Sequence, residues 1–388
     1  MIPLKDNLYI DIHRLITIPP SCANRDDTGA LKTSEFGGFT RNRISSQSYR
    51  KNARDIFQAN IDDSHRSNRT KHSIQLVADA IQANDQSVSR DDAIKDARAI
   101  IEMAINPSSK SPIKYDDTEK LAHKNTLYIG KAAIKALAKL TLRKDITKQK
   151  RADAAKAILD GSDTSVAYAY DISMFGRMVA SNSCLNTEGA VQTSHSVSVG
   201  LAHIEHDYFT QMDDYDNGSQ GANYIDTTEF SSWTDYWYNS INVLQLCKNL
   251  KDDKEATLDA LGTVIDAIIK AMPQGKHNTF AINTLPSLLL VQIRDTQPVS
   301  LVNAFESPVR PTMDKTMTEL ACERLITQTA LMDEAFETKP LMTYAIIGSP
   351  DTAKIAEIAD ETGPISKVIG SICDYVGEYL DQRLPEEA

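Results

Sequence analysis

Residues 36–54 read Phe-Gly-Gly-Phe-Thr-Arg-Asn-Arg-Ile-Ser-Ser-Gln-Ser-Tyr-Arg-Lys-Asn-Ala-Arg and carry Arg41, Arg43, Arg50, Lys51 and Arg54 with no acid among them. The chemistry open to such a run is the holding of phosphates. Cations neutralise the charge, while serine hydroxyls and the free amides of a helix start supply neutral donors. Gly37 and Gly38 give the backbone freedom to approach a ligand. Arg41 and Arg43 fall on an extended arm, and Ser45 or Ser46 opens a helix. No nucleophile, metal cluster or nucleotide-binding loop accompanies the run. These residues predict polyanion binding without covalent chemistry.

The run is a positive island in an acidic chain of 388 residues with a net charge of −11. Net acidity ordinarily argues against nucleic acid, but local clustering decides the matter. A hydrophobic content of 41 % and a charged content of 24 % are those of a globular protein, and the length allows one large domain or two to three ordinary ones. No stretch has the apolar length of a membrane span, and no signal-peptide pattern opens the sequence. Cys22, Cys184, Cys247, Cys322 and Cys373 are odd in number, far apart and never in a Cys-x-x-Cys pair. That usage fits buried thiols in a reducing cytoplasm rather than disulfides or a zinc site.

The elements that must position these residues follow from periodicity. Residues 7–18 alternate in polarity and predict a strand that Pro19 and Pro20 end. A helix from Ser46 to about Gln58 puts Tyr49, Ala53, Ile56 and Phe57 on one face and Arg50, Lys51 and Arg54 on another. Residues 60–161 are helical and poor in aromatics, with a capping box at Ser89–Asp92 and a stop at Gly161. Strands are predicted at 166–172, 190–199, 227–238, 287–294 and 341–347, and helices at 254–272, 314–335 and 364–382. The polar stretch between Gly200 and Tyr224 predicts a protruding hairpin or long loop. The pattern is α+β: a ferredoxin-like, RRM-like sheet with a large helical insertion after its first helix. Sheets of this kind often bind RNA, although the aromatic RNP pattern is absent here.

Each signal also has a structural reading. The basic run is compatible with a solvated face, the serines with plain capping, and Arg177-Met178 with packing. His203 and His206 form an i, i+3 pair without a third placed ligand. In Asp213–Gly218 a calcium loop would put Tyr215 and Tyr224 where carboxylates are required. His195, in Ser194-His-Ser196, has no acid at readable spacing.

A set of ordered blocks carries a specific resemblance. Asn24-Arg-Asp-Asp27, Phe36-Gly-Gly38 with Arg43-Ile-Ser-Ser-Gln-Ser48, Phe175-Gly-Arg-Met178, Ser194-His-Ser-Val197, Thr228-Glu-Phe-Ser-Ser232, Pro273-Gln-Gly-Lys276 with Thr279-Phe280, and Asn303-Ala-Phe305 stand in one order over roughly residues 8–310. Together they resemble the CasC family, the Cas-seven-type (Cse-four) RNA-binding backbone subunits of the type I-E CRISPR surveillance complex, Cascade. The resemblance implies a palm at 1–59, 162–199 and 225–388 (with C-terminal helices), helical fingers at 60–161 and a thumb at 200–224. It implies several copies polymerised along one CRISPR RNA, each thumb pinning the RNA of its neighbour and displacing one nucleotide at intervals.

Carried over to this chain, Arg25, Lys32, Arg41, Arg43, Ser45, Gln47, Arg50, Lys51, Arg54 and Lys276 line the RNA track. Arg177 and Met178 lie against the RNA, with Met178 as a wedge, and Tyr208, Phe209 and Thr210 belong to the thumb. Arg50 and Lys51 stand where the family usually has Lys then Arg. The implied partners are CRISPR RNA, the target DNA strand through the guide, further copies of the chain, and the large, small, RNA-capping and RNA-processing subunits. No catalytic residue, metal, cofactor or membrane is implied, and the location is cytoplasmic. The alternative is a metal-dependent RNA-cleaving backbone subunit using Asp213, Asp214 or Asp216.

Overall fold

The computed structural model describes residues 6–105, 126–179, 182–211 and 224–384. In chain order its strands and helices are β1 (Tyr9–Ser21), β2 (Thr33–Phe36), β3 (Phe39–Ile44), α1 (Ser46–Ala59), β4 (Ser67–Thr70), α2 (Ser73–Asn84), α3 (Arg90–Ile105), β5 (Leu127–Gly130), α4 (Lys131–Leu142), α5 (Lys148–Asp160) and α6 (Tyr170–Phe175). There follow β6 (Val191–Thr193), β7 (Ser196–Ser198), β8 (Glu205–Gln211), β9 (Tyr224–Asn242), α7 (Val243–Asn249), α8 (Lys254–Lys270), α9 (His277–Phe280), β10 (Leu288–Arg294), α10 (Met317–Ala335), β11 (Met342–Ile347), β12 (Glu361–Thr362) and α11 (Ile365–Arg383). The chain divides into one unit of residues 1–56, 191–244 and 261–388 and a second of 57–190 and 245–260.

The first unit is built on a sheet in the order β12-β11-β10-β1-β9-β7-β3-β2, with β6 and β8 also paired to β9. Its ladders are antiparallel apart from β11–β12. β1 runs through Pro19 and Pro20 to Ser21 rather than stopping before them. Between Ile18 opposite Trp233 and Ser21 opposite Ser231 it holds one residue more than β9, so the two prolines sit in a bulge where a missing N–H breaks no ladder bond. The alternation in β1 also does not mark a wet face, because Asp11, His13 and Arg14 are all buried. Asp11 accepts from the Tyr238 hydroxyl at 2.8 Å and the Val299 amide at 2.8 Å, and Arg294 Nε lies 3.3 Å from it. His13 Nδ1 lies 2.9 Å from the Tyr236 hydroxyl. Polar residues inside are tolerated because they are bonded to one another.

On the opposite face Arg14 lies against the stacked rings of Tyr49 and Trp237, 4.8 and 4.5 Å from their centroids. It donates to the Ala271 carbonyl at 2.7 Å, past the end of α8, where the helix leaves carbonyls unbonded. Tyr49, Ala53 and Phe57 are buried as the helical spacing predicts, and Ile56 is half-buried.

The second unit gathers Ile74, Val77, Ile81, Ile100, Ile101, Leu137 and Leu159 into an aliphatic core from α2, α3, α4 and α5. It is not wholly helical, since β4 and β5 form a two-stranded ladder. The strand predicted at 166–172 is instead an irregular segment leading into α6. There Tyr170 stacks on His65 with ring centroids 4.0 Å apart, so tertiary packing overrides a β-branched and aromatic composition. The strand predicted at 190–199 is split into β6 and β7, and those at 227–238, 287–294 and 341–347 are β9, β10 and β11.

Candidate nucleic-acid interface

In the first unit the start of α1 is held by three side chains. Ser45 Oγ accepts from the Ser48 amide at 3.3 Å and is the N-cap. Asn24 Oδ1 accepts from the Ser45 amide at 3.0 Å, and His195 Nδ1 from the Ser46 amide at 2.9 Å. Among the described residues the Gln47 amide has no protein acceptor, and its side chain is exposed. Lys32 and Arg43 stand beside this helix start. The Lys32 amide bonds the Asn24 carbonyl and the Arg43 amide bonds the Lys32 carbonyl, both at 2.9 Å, and Arg43 Nη1 lies 3.5 Å from His195 Nδ1. Burial and then the charges of Arg43 and Lys32 hold the His195 imidazole below its usual range.

Two further cations join from separate parts of the chain. Arg25 is exposed in a turn closed by its pairing with Leu31, and Glu229 on β9 accepts the Leu31 amide at 2.9 Å. Lys276 donates to Thr228 Oγ1 at 2.8 Å. Gly275 runs against the Ala23 carbonyl, where an added Cβ would sit 2.3 Å from the oxygen, so that crossing requires glycine. Burial pushes the Cys22 thiol up, while nearby Lys276 and Arg25 pull it down. On α1, Lys51 is exposed and paired with Asp55, and Arg50 and Arg54 are half-buried.

Several expected roles are corrected by burial. Arg41 is fully buried, and its guanidinium donates to the carbonyls of Ser198 (2.9 Å), Val199 (3.2 Å), Phe305 (2.8 Å) and Glu306 (3.0 Å). It bonds main chain and does not reach an external phosphate. Ser45 is buried and its oxygen is taken up by the cap. Gly37 and Gly38, with φ of 61° and 77°, form the two-residue turn of the β2–β3 hairpin rather than a ligand approach. At Gly37 a Cβ would lie 1.9 Å from the Glu306 carbonyl oxygen.

In the second unit Arg177 is buried. It donates to the carbonyls of Leu185 at 2.8 Å and Leu159 at 2.7 Å, and burial pulls its guanidinium down to about 10. It is a structural cation, whereas its neighbour Met178 is 80 % exposed.

β8 pairs with the outer part of β9, placing Tyr208 opposite Thr227, Phe209 opposite Asp226 and Thr210 opposite Ile225. Glu205–Thr210 and Tyr224–Thr227 are exposed on both faces of this ribbon. Residues 212–223, with Asp213, Asp214 and Asp216, lie outside the described residues. Among the described residues no group of three or more His, Cys, Asp or Glu side chains is placed to hold a metal ion, and His203 lies beside Glu205 at 4.0 Å. No described helix is long and apolar enough to cross a membrane.

Sequence reasoning missed Asn24 and His195 as holders of the helix start, and Thr228 and Glu229 as anchors for Lys276 and the Arg25 turn. All four fall inside the resemblance blocks, which was the signal available.

The sheet, and the cation-flanked helix start that it presents, define an α+β protein. The chain belongs to the CT1975-like protein family, whose model matches residues 10–370. A solved chain of a "CRISPR RNA-guided surveillance complex, pre-nicking" is similar at a TM-score of 0.79 and 26 % identity, over 95 % of this chain and 99 % of that one. A second, of a "CRISPR RNA-guided surveillance complex", shares the fold at a TM-score of 0.70 and 23 % identity, with the same coverage. No curated protein matches.

Proposed function

We propose that this chain is an RNA-binding backbone subunit of a type I-E CRISPR surveillance complex, polymerising along the guide RNA and without nuclease chemistry of its own. The observation that carries the reading is the helix start of α1 with Lys32, Arg43, Arg25 and Lys276, in a chain 26 % identical over nearly its whole length to a surveillance-complex subunit. Phosphate-directed cations without a matched set of base-reading side chains suit a protein that must accept any guide sequence. The strand order β10-β1-β9-β7, with α1 after β1 and α8 after β9, supports a ferredoxin-like palm. The second unit supplies the fingers, and the exposed β8–β9 ribbon is the thumb that reaches the next copy. The partners are then CRISPR RNA, target DNA paired to it, further copies and the other subunits of the complex.

The test is sedimentation of the purified chain with guide RNAs of increasing length, with and without divalent metal. The expected result is stepwise growth in mass with RNA length, indifference to a scrambled spacer, and intact RNA at the end. A single copy per RNA at every length would refute the backbone role. Metal-dependent RNA cleavage that disappears on replacing Asp213, Asp214 or Asp216 would establish the nuclease alternative.

A further inference from the structure

His195 occupies an irregularity in the sheet. Thr193 lies opposite Asn239 and Val197 opposite Tyr236, so residues 194–196 face only residues 237 and 238 of β9. One extra residue is a β-bulge, and a bulge re-aims a side chain. Both neighbours are tied down. The Ser194 amide and hydroxyl donate to the Tyr238 carbonyl at 3.1 and 3.0 Å, and buried Ser196 donates to Asp235 at 3.0 Å. His195 between them is exposed and meets the first amide of α1.

That hydrogen bond fixes the chemistry of the ring. A backbone amide can only donate, so Nδ1 must be the unprotonated acceptor and the proton of the neutral ring sits on Nε2. The charges acting on His195 are Arg43 on β3 and Lys32 before β2; α1 meets the ring through the Ser46 amide, and on β9 Asp235 is bonded to the neighbouring Ser196. An imidazolium would face two cations and leave the Ser46 amide without an acceptor.

We propose that His195 is a positioning residue for RNA binding: its neutral ring pins the first turn of α1 to the β6–β7 bulge, so that Lys32, Arg43 and the free Gln47 amide are presented together, and protonation of the ring releases the pin. The inference rests on the RNA-binding reading above and adds to it a residue and a dependence on pH. The lowered basicity of the ring agrees in sign. The pin holds at neutral pH, and RNA binding falls on acidification to below the ordinary histidine range.

The test is titration of the full chain with a guide-length single-stranded RNA from pH 8 to pH 5 at constant ionic strength, with thermal unfolding of each variant as a control. His195→Ala is expected to bind about fivefold more weakly at pH 8, the equivalent of one missing capping bond. His195→Asn, whose side-chain oxygen can accept the Ser46 amide in place of Nδ1, is expected to stay within about twofold of wild type. Wild type is expected to approach the His195→Ala affinity in acid, with no such step in either variant. Nitrogen spectra of histidine-labelled protein without RNA are expected to show the Nε2–H form at residue 195, a reading that survives even if His195→Ala unfolds.

Equal affinity of His195→Ala and wild type would overturn the proposal, as would a His195-dependent tightening in acid, which would make the ring an extra cation. Failure of the wild type to bind at pH 8 would instead refute the RNA-binding reading, and the inference with it.

Discussion

The Tyr49 hydroxyl donates to Asp235 at 2.9 Å while its ring stacks on Trp237 with centroids 4.1 Å apart. Asp235 also accepts from Ser196 Oγ and Trp233 Nε1, each at 3.0 Å. One buried carboxylate therefore ties α1 to β7, at the residue after His195. Tyr49→Phe keeps the stack and removes the donor. A hydrogen bond to a charged acceptor is worth about 1.5–3 kcal/mol, so unfolding by denaturant should show a loss of that order. An unchanged midpoint would mean that the other donors suffice.

Burial pushes the Asp235 carboxyl up to about 6, against the pull of its three donors and of Arg14. A group raised in the folded state favours folding when protonated, so its contribution is full below about pH 4 and is lost as pH rises through about 6. His13, pulled down to about 3 by burial, works in the opposite direction over an overlapping range, as the unfolded chain takes its proton first. The difference in stability between wild type and Asp235→Asn cancels His13. It should move in favour of wild type by at most about 3 kcal/mol as pH falls from 7 to 4. A flat difference would show that Asp235 keeps an ordinary acidity.

Arg41 and the pair Arg25 and Lys32 should separate stability from binding. Arg41→Ala strips four carbonyls of their donor in the interior and should cost at least about 2 kcal/mol in unfolding free energy. Arg25→Ala with Lys32→Ala should leave stability within about 0.5 kcal/mol. It should instead lower the log–log salt slope of RNA binding by about 0.7 for each phosphate no longer neutralised. The reverse pattern would exchange their assignments.

Arg50→Ala with Lys51→Ala should weaken RNA loading and leave the fold intact, because both lie off the face that buries Tyr49, Ala53 and Phe57. Circular dichroism and RNA affinity together check this. Loss of structure in the double variant would mean that the cationic face of α1 is packed as well.

Tyr208 and Phe209 are 63 % and 41 % exposed on β8, too open to hold up the fold. Tyr208→Ser with Phe209→Ser should keep the thermal transition of the free chain. It should also abolish growth on long RNA if these rings stack on bases, which is worth about 1–3 kcal/mol per base. Assemblies of normal size by sedimentation would remove the ribbon from the proposed interface between copies.

The α1 cation face was readable in advance because helical periodicity is local: the spacing of Tyr49, Ala53 and Phe57 dictates which side packs, whatever lies beneath it. The α8, α10 and α11 helices and the β10 and β11 strands were legible for the same reason. The 166–172 segment was not, since its composition suits a strand but the stacking of Tyr170 on His65 has no local signature. The role of Arg41 was equally hidden. Arg41 and Arg43 look alike in sequence, yet one is buried against four carbonyls and the other stands beside the helix start.

The sequence by itself determined a basic island in an acidic chain, an amphipathic α1 that presents it, and the ordered blocks of a family. Tertiary structure decided which cations remain outward and what holds them. Asn24 reaches Ser45, His195 reaches Ser46, Glu229 reaches Leu31, Lys276 reaches Thr228 and Phe305 reaches Arg41, from blocks that lie up to 264 residues apart. Local propensity carries no information on such pairings. They exist only once a β-bulge, a proline-filled strand and a glycine crossing have brought the segments within hydrogen-bond reach.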